Sequence, residues 1–167
     1  MGKKSIKENK NVYQLAREAM DYTRDKAAEE MGYVSSDRIE KIESEKTTPH
    51  PDEILAMASA YKSPELCNYY CTHECPIGKE NMPVLEVKGL SQIVLEMLAG
   101  LNSVNKEKER LIEITVDGEI SEDEIKDFVA IKEELRKIAT SVDGLQLWVD
   151  KTIAEGKIDR ELLSKIK

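Results

Sequence analysis

The stretch Thr23–Lys46, TRDKAAEEMGYVSSDRIEKIESEK, constrains this chain more than any other. It predicts two short helices joined by a tight turn. Thr23 is a natural opening residue for the first, because its hydroxyl can accept from a backbone N–H that the helix leaves unpaired. Ala27, Ala28 and Met31 form an apolar stripe at helical spacing. Gly32 is the residue type that most easily ends a helix in a left-handed turn. Ser35 or Ser36 caps the second helix, Ile39 and Ile42 give it one buried edge, and Ser36, Asp37, Glu40, Lys41 and Ser44 share the other face. A helix this short, apolar along one edge and polar elsewhere, fits the width of a DNA major groove.

These residues resemble the helix-turn-helix domain of the phage-repressor, or XRE, family. The pattern stands here as Thr23-Arg24, Ala28, Gly32, Val34-Ser35, Ile39-Glu40-Lys41-Ile42-Glu43, Lys46 and Pro49, with Arg17 where the family places an arginine that pairs with the glutamate at Glu43. The resemblance runs from about Val12 to Tyr61. It implies a lambda-repressor-like five-helix domain whose second short helix, about residues 35–45, reads DNA. Ser36, Asp37, Glu40 and Lys41 would then face bases, Arg24, Lys46, Thr47 and Thr48 would hold phosphates, Thr23 and Ser35 would also belong to the DNA-binding set, and Arg17 and Glu43 are structural. Three departures stand out: Arg24 replaces the usual glutamine, Glu45 replaces the usual glycine, and Tyr33 adds a residue to the turn. Asp37 and Glu40 repel phosphates, although an acid can accept from cytosine N4.

Charge is unevenly spread. The net charge is −8. Residues 1–63 hold 11 Lys/Arg against 12 Asp/Glu, a balance of −1, and the remainder holds 14 against 21, or −7. The acidic part would help keep the protein off non-specific DNA. Aromatic residues make up only 5% of the chain, which predicts an aliphatic core. Long helical periodicities without strand alternation predict an all-α protein. No apolar run approaches a membrane span, and MGKKSIKENKN lacks the apolar segment of a secretory signal, so the expected location is cytoplasmic. With no phosphate loop, no nucleophile beside a base and two histidines in all, neither an enzyme nor a cofactor is expected.

In chain order, residues 1–10 read as a basic flexible arm carrying Lys3, Lys4, Lys7 and Lys10. The helix-turn-helix domain follows over 11–78. Its first helix, about Asn11 to Met20, would turn Val12, Leu15, Ala16 and Ala19 inward. After TTPHPDE, Asp52 starts a helix with Ile54, Leu55, Met57 and Ala58, and Pro64 opens a fifth. That fifth helix carries Cys67, Cys71 and Cys75, one turn apart on one face, with His73 off it. The cysteines are candidate metal ligands or redox thiols. Small buried hydrophobes are the simpler reading, since structural zinc wants two separated pairs and a cytoplasmic disulfide between Cys71 and Cys75 would be unusual. Tyr70-Cys71 to Cys75-Pro76-Ile77-Gly78 also resembles a segment that follows the helix-turn-helix in some Firmicute and prophage regulators.

Residues 76–88 contain three breakers and no stripe. They read as a linker, most clearly over 79–88. Residues 89–167 read as a long antiparallel helical hairpin. From Leu90, the positions Ile93, Val94, Met97, Leu98, Leu101, Val104, Leu111, Ile112 and Thr115 approach a heptad seam on a helix about 40 Å long. Asp117-Gly118 stops it. Ser121 and Glu124 form a capping box for a helix from about Glu122 to Ala154. Glu113–Glu124 partly fits a calcium loop, but Glu113 and Thr115 are poor ligands at its leading positions, and a glycine stop followed by a cap accounts for the same residues. The apolar seam predicts a homodimer through the C-terminal helices, with double-stranded DNA as the other partner. An interaction adaptor on a helix-turn-helix scaffold, with weak or lost DNA binding, is the alternative, because Asp37, Glu40 and Glu45 sit on the DNA-facing side.

Overall fold

A computed structural model describes residues 9–116, 118–159, 161 and 165. The expected arm lies outside the described residues apart from Asn9 and Lys10, and so does Asp117 of the calcium-like loop. All regular structure among the described residues is helical: α1 (Val12–Ala19), α2 (Arg24–Met31), α3 (Ser36–Glu43), α4 (Pro51–Ala60), α5 (Glu65–His73), α6 (Pro76–Asn81), α7 (Leu90–Lys106), α8 (Lys108–Ile114) and α9 (Ile125–Ala154). The chain divides into two compact units, one formed by residues up to Val84 together with Asp150 onward, the other by Leu85–Val149.

The first unit is built on the expected five helices. Asn11 caps α1 by accepting from the Gln14 N–H, Thr23 caps α2 through Lys26, and Ser35 caps α3 through Arg38. Ala27, Ile39, Ile42, Ile54 and Met57 are almost wholly buried at its centre. Two tyrosines, Tyr13 and Tyr61, join them, so the core is not purely aliphatic. Chain-wide aromatic content hid this, because all six tyrosines fall within the first 70 residues. The inward face of α1 is also rotated from expectation. Tyr13, Gln14 and Arg17 are buried, whereas Leu15 is 53% exposed and Ala19 is exposed. Leu55 on α4 is likewise exposed. In both helices polar or aromatic partners on neighbouring elements set the inward face, and apolar spacing could not reveal them.

Residues 76–81, read from the sequence as linker, form α6. Pro76 suits a first helical position, where no N–H is needed. Gly78 lies against the backbone of Cys71 on α5, so close that a Cβ would stand 2.1 Å from the Cys71 carbonyl oxygen. Asn68 then donates to the Pro83 carbonyl at 2.9 Å, fixing the segment that follows. The last turn of α9 belongs to this unit, with Lys151 ion-paired to Glu65 of α5 at 2.6 Å.

The second unit is an antiparallel helical pair. Arg110 pairs with Asp127 at 2.7 Å, Glu134 is hydrogen-bonded to Ser103, and Gly100 abuts Ile138. The continuous helix expected from Leu90 to Thr115 is interrupted at Glu107, whose N–H turns to the Val104 carbonyl three residues back. The run Asn105–Arg110 carries no apolar residue to bury against a neighbouring helix. At the other end Ser121 donates to Glu124 through both its N–H (3.1 Å) and its hydroxyl (2.5 Å), and α9 begins at Ile125.

Candidate nucleic-acid interface

The geometry of the site rests on a buried carboxylate. Glu43, at the end of α3, has a side chain 1% exposed. It accepts from Arg17 through Nε at 2.5 Å and Nη2 at 3.0 Å, and from Arg24 Nε at 2.8 Å. Arg17 also donates to the Tyr22 carbonyl. One acid thus ties α1, the start of α2 and the end of α3 together, and sets the angle at which α3 is presented. Asn11 adds a second tie from α1, donating to the Ile42 carbonyl at 2.8 Å.

The pair Arg17 and Glu43, expected from the resemblance, is therefore present. Arg24, expected at a phosphate, gives its Nε to the same acid, with its side chain still 40% exposed. Thr23 and Ser35 spend an oxygen lone pair on capping, and each hydroxyl keeps a hydrogen to donate.

With Ile39, Ile42 and Glu43 inward, the other side of α3 presents Ser36, Asp37, Glu40 and Lys41 on one surface. Lys46 reaches back to Glu40 at 3.2 Å and holds that carboxyl below its usual range. Both groups are largely exposed, so the pair adds little to stability. It does offset one acid on the surface that would face phosphates. Asp37 and Glu45 remain exposed there.

The turn after α3 explains one departure from the family pattern. Lys46 N–H bonds the Lys41 carbonyl at 2.9 Å, which closes the helix end, and Glu45 takes φ 59° to allow it. That left-handed conformation is where the pattern has glycine. Replacing Glu45 by glycine is expected to stabilise the domain by about 0.5–1 kcal/mol, since a Cβ is disfavoured there. An unchanged or lower urea midpoint would show the site to be unstrained.

Sequence reading missed Arg38. It sits on the flank of α3 and forms a two-pronged pair with Glu53 of α4, Nε to Oε1 and Nη2 to Oε2, each at 2.7 Å. It also donates to the Thr47 hydroxyl at 2.7 Å and the Thr48 carbonyl at 3.0 Å. Arg38 therefore holds the loop in which Thr47 and Thr48 lie. Glu53 further accepts from the His50 N–H at 2.7 Å, at the start of α4. The acid three residues after His50 was a readable capping signal, but its pairing with Arg38 was not, since 15 residues of chain separate them.

Arg38 holds the Glu53 carboxyl below its usual range against the opposing effect of burial, with the His50 N–H helping. A carboxyl depressed in the folded state contributes stability that is complete above its unfolded value and lost as pH falls through the folded one. Between about pH 5 and about pH 3 the wild-type urea midpoint should therefore fall more steeply than that of Glu53→Gln. Parallel slopes would remove Glu53 from the acid response.

The three cysteines are free and half-buried. Burial first, then the neighbouring Cys71 and Asp150, pushes the Cys67 thiol up, which disfavours thiolate chemistry. His73 stacks on Tyr69 at 4.3 Å. Among the described residues no group of three or more His, Cys, Asp or Glu side chains comes together in a way that could hold a metal ion. No described helix is long and apolar enough to cross a membrane.

Comparison with known proteins agrees with this geometry. Residues 14–66 match a family model described as "Helix-turn-helix" (HTH_3), a span that runs from α1 into the first turn of α5. No curated protein and no solved structure matches the chain. The capped α2–turn–α3 unit, the buried Arg17–Glu43 tie and the family match over the same residues make residues 14–66 a helix-turn-helix domain of the XRE, lambda-repressor-like type.

Proposed function

We propose that the chain is a sequence-specific DNA-binding transcriptional regulator whose α3 enters the major groove. The observation that carries this reading is the presentation of α3. Its inner edge is locked by Ile39, Ile42 and Glu43, so Ser36, Asp37, Glu40 and Lys41 form one outward polar surface at a fixed angle. In this reading those four side chains meet base edges, with Ser35 at the entry of the helix. Lys41 suits a guanine, and Asp37 or Glu40 a cytosine amino group. Thr23, Arg24, Lys46, Thr47 and Thr48 surround that surface and hold phosphates. Lys46 would leave Glu40 for a phosphate, which frees that acid to accept from a base.

The test is selection of bound fragments from genomic DNA, followed by titration of the selected site at several salt concentrations. Affinity should fall with salt by close to one logarithmic unit per phosphate contact per tenfold change. Lys46→Ala should lower that slope by about one and weaken binding to all sequences alike. Lys41→Ala should instead relax the preference at one base pair, by about 1–3 kcal/mol. Failure to retain any fragment at low salt would overturn the reading.

Asp37 and Glu45, exposed beside α3, favour one second reading: an interaction adaptor that uses the same surface for a basic protein partner. Partner capture that survives nuclease treatment, lost in Asp37→Lys and unaffected by Lys46→Ala, would support it.

A further inference from the structure

Arg38 reaches from the flank of α3 to the loop that follows it, and its side chain is 23% exposed. A guanidinium carries one N–H on Nε and two on each Nη. Here Nε and Nη2 hold Glu53, Nη2 also holds the Thr48 carbonyl, and Nη1 holds the Thr47 hydroxyl. The second Nη1 hydrogen is left without a partner among the described residues. Thr47 accepts its bond at 2.7 Å, so its own hydroxyl hydrogen is free to point outward, and the residue is exposed. Two donors, Thr47 O–H and Arg38 Nη1–H, thus stand side by side with no acceptor between them.

We propose that Arg38 and Thr47 together grip one DNA phosphate, and that Glu53 cancels the charge of this contact so that it acts by direction rather than by net attraction. The proposal deepens the DNA reading and rests on it. Arg38 acts twice, aiming the Thr47 hydroxyl and giving a hydrogen of its own. Glu53 matches the guanidinium with two bonds of 2.7 Å and stays ionised, since Arg38 and the His50 N–H hold its carboxyl below the usual range. Asp52 adds a second acid to the field at Arg38.

The arrangement has a consequence for selectivity. Affinity for DNA of any sequence comes from unmatched cations that displace counterions. A matched cation adds little to that term. Its hydrogen bonds form only when a phosphate sits at bonding distance, which requires α3 to be seated in register. Lys46, largely exposed and held only by a 3.2 Å pair with Glu40, supplies the salt-dependent kind of contact. Arg38 and Thr47 supply the kind that salt does not screen away.

The experiment titrates the full chain and its variants against the duplex selected from genomic DNA and a random-sequence duplex of the same length, from about 50 to about 500 mM salt. Thr47→Val should weaken binding to the selected duplex about tenfold or more and leave the salt slope unchanged. Thr47→Ser should bind as wild type does, since it keeps the hydroxyl. Arg38→Met with Thr47→Val should be no weaker than Arg38→Met alone, because the first change already leaves the hydroxyl unaimed. Glu53→Gln unmasks the guanidinium. Its salt slope should rise by about one on both duplexes, and its binding to the random duplex at about 50 mM salt should tighten about three- to tenfold. A purely structural pair predicts the opposite, weaker binding at every salt with the slope unchanged. Circular dichroism at the assay temperature checks that each variant is folded. Thr47→Val and Glu53→Gln carry the test if Arg38→Met is not, since Thr47 is exposed and glutamine matches glutamate in size. An unchanged slope in Glu53→Gln, or wild-type affinity in Thr47→Val, overturns the proposal and leaves α3 on DNA. A chain that retains neither duplex at about 50 mM salt overturns the DNA reading and this proposal with it, so the two failures are told apart.

Discussion

Glu43→Ala should be the most damaging single change in the first unit, costing about 3–5 kcal/mol. The carboxylate is almost fully buried and accepts three charged hydrogen bonds, two from Arg17 and one from Arg24. Removing it leaves the Arg17 guanidinium, itself nearly buried, with only the Tyr22 carbonyl and a weaker contact to Glu18 at 3.9 Å. A charge taken out of water needs its partner, and the cost of stranding it exceeds what the pair contributes over an apolar replacement. At roughly 4–8 °C per kcal/mol for a domain this size, the melting temperature should fall by more than about 10 °C. Arg17→Met with Glu43→Leu should recover most of that loss, because Arg24 is exposed enough to turn to solvent. Arg17→Lys should not rescue, since an ammonium cannot supply the two-pronged geometry. Thermal and urea unfolding decide the matter. A cost for Glu43→Ala under about 1 kcal/mol would mean that the tie is not what holds α1 to α3.

Gly78→Ala is expected to detach α6 from α5. The new Cβ would stand 2.1 Å from the Cys71 oxygen, 2.6 Å from its carbonyl carbon and 2.9 Å from its Cα. All three are backbone atoms of a helix, so no side chain can swing aside, and α6 must lift away. Overpacking of this kind costs about 1–3 kcal/mol. The local consequence should be larger than the global one: amides of Lys79 and Met82, which bond to Cys75 and Gly78, should lose protection from exchange. Labelling of the half-buried thiols should quicken about tenfold or more. Gly144→Ala provides the contrast. It lies within α9 where the added carbon would meet nothing within 4 Å beyond its chain neighbours and the helix's own backbone, and alanine there should stabilise by up to about 1 kcal/mol. Unchanged exchange and thiol labelling in Gly78→Ala would show that α6 is not seated as described.

Much of the first unit was legible because its signals are local. Thr23, Gly32 and Ser35 are residue types whose backbone and side-chain chemistry act within a turn or less, and each stands where such a signal ends or begins a helix. The alternation of Ile39 and Ile42 with polar residues fixed which side of α3 would be outward. The Arg17–Glu43 tie was legible only through the resemblance, since 26 residues separate the two. The site residues were therefore readable as a surface, whereas the bonds already engaging several of them were not. Arg24 is drawn to a buried acid, Lys46 to Glu40, and Thr47 to an arginine that no spacing rule singles out.

By itself, then, the sequence determined α1 to α5, the caps of α2 and α3 and the outward face of α3, because those depend on conformational preference and on contacts a few residues apart. Only tertiary structure decided the rest. It rotated α1 so that Arg17 rather than Leu15 is buried, folded residues 76–81 back onto α5 through a glycine, and broke the first long helix at Glu107. The first two of those outcomes rest on partners remote in the chain. Backbone preference is written residue by residue, but burial and pairing energies exist only once distant segments meet.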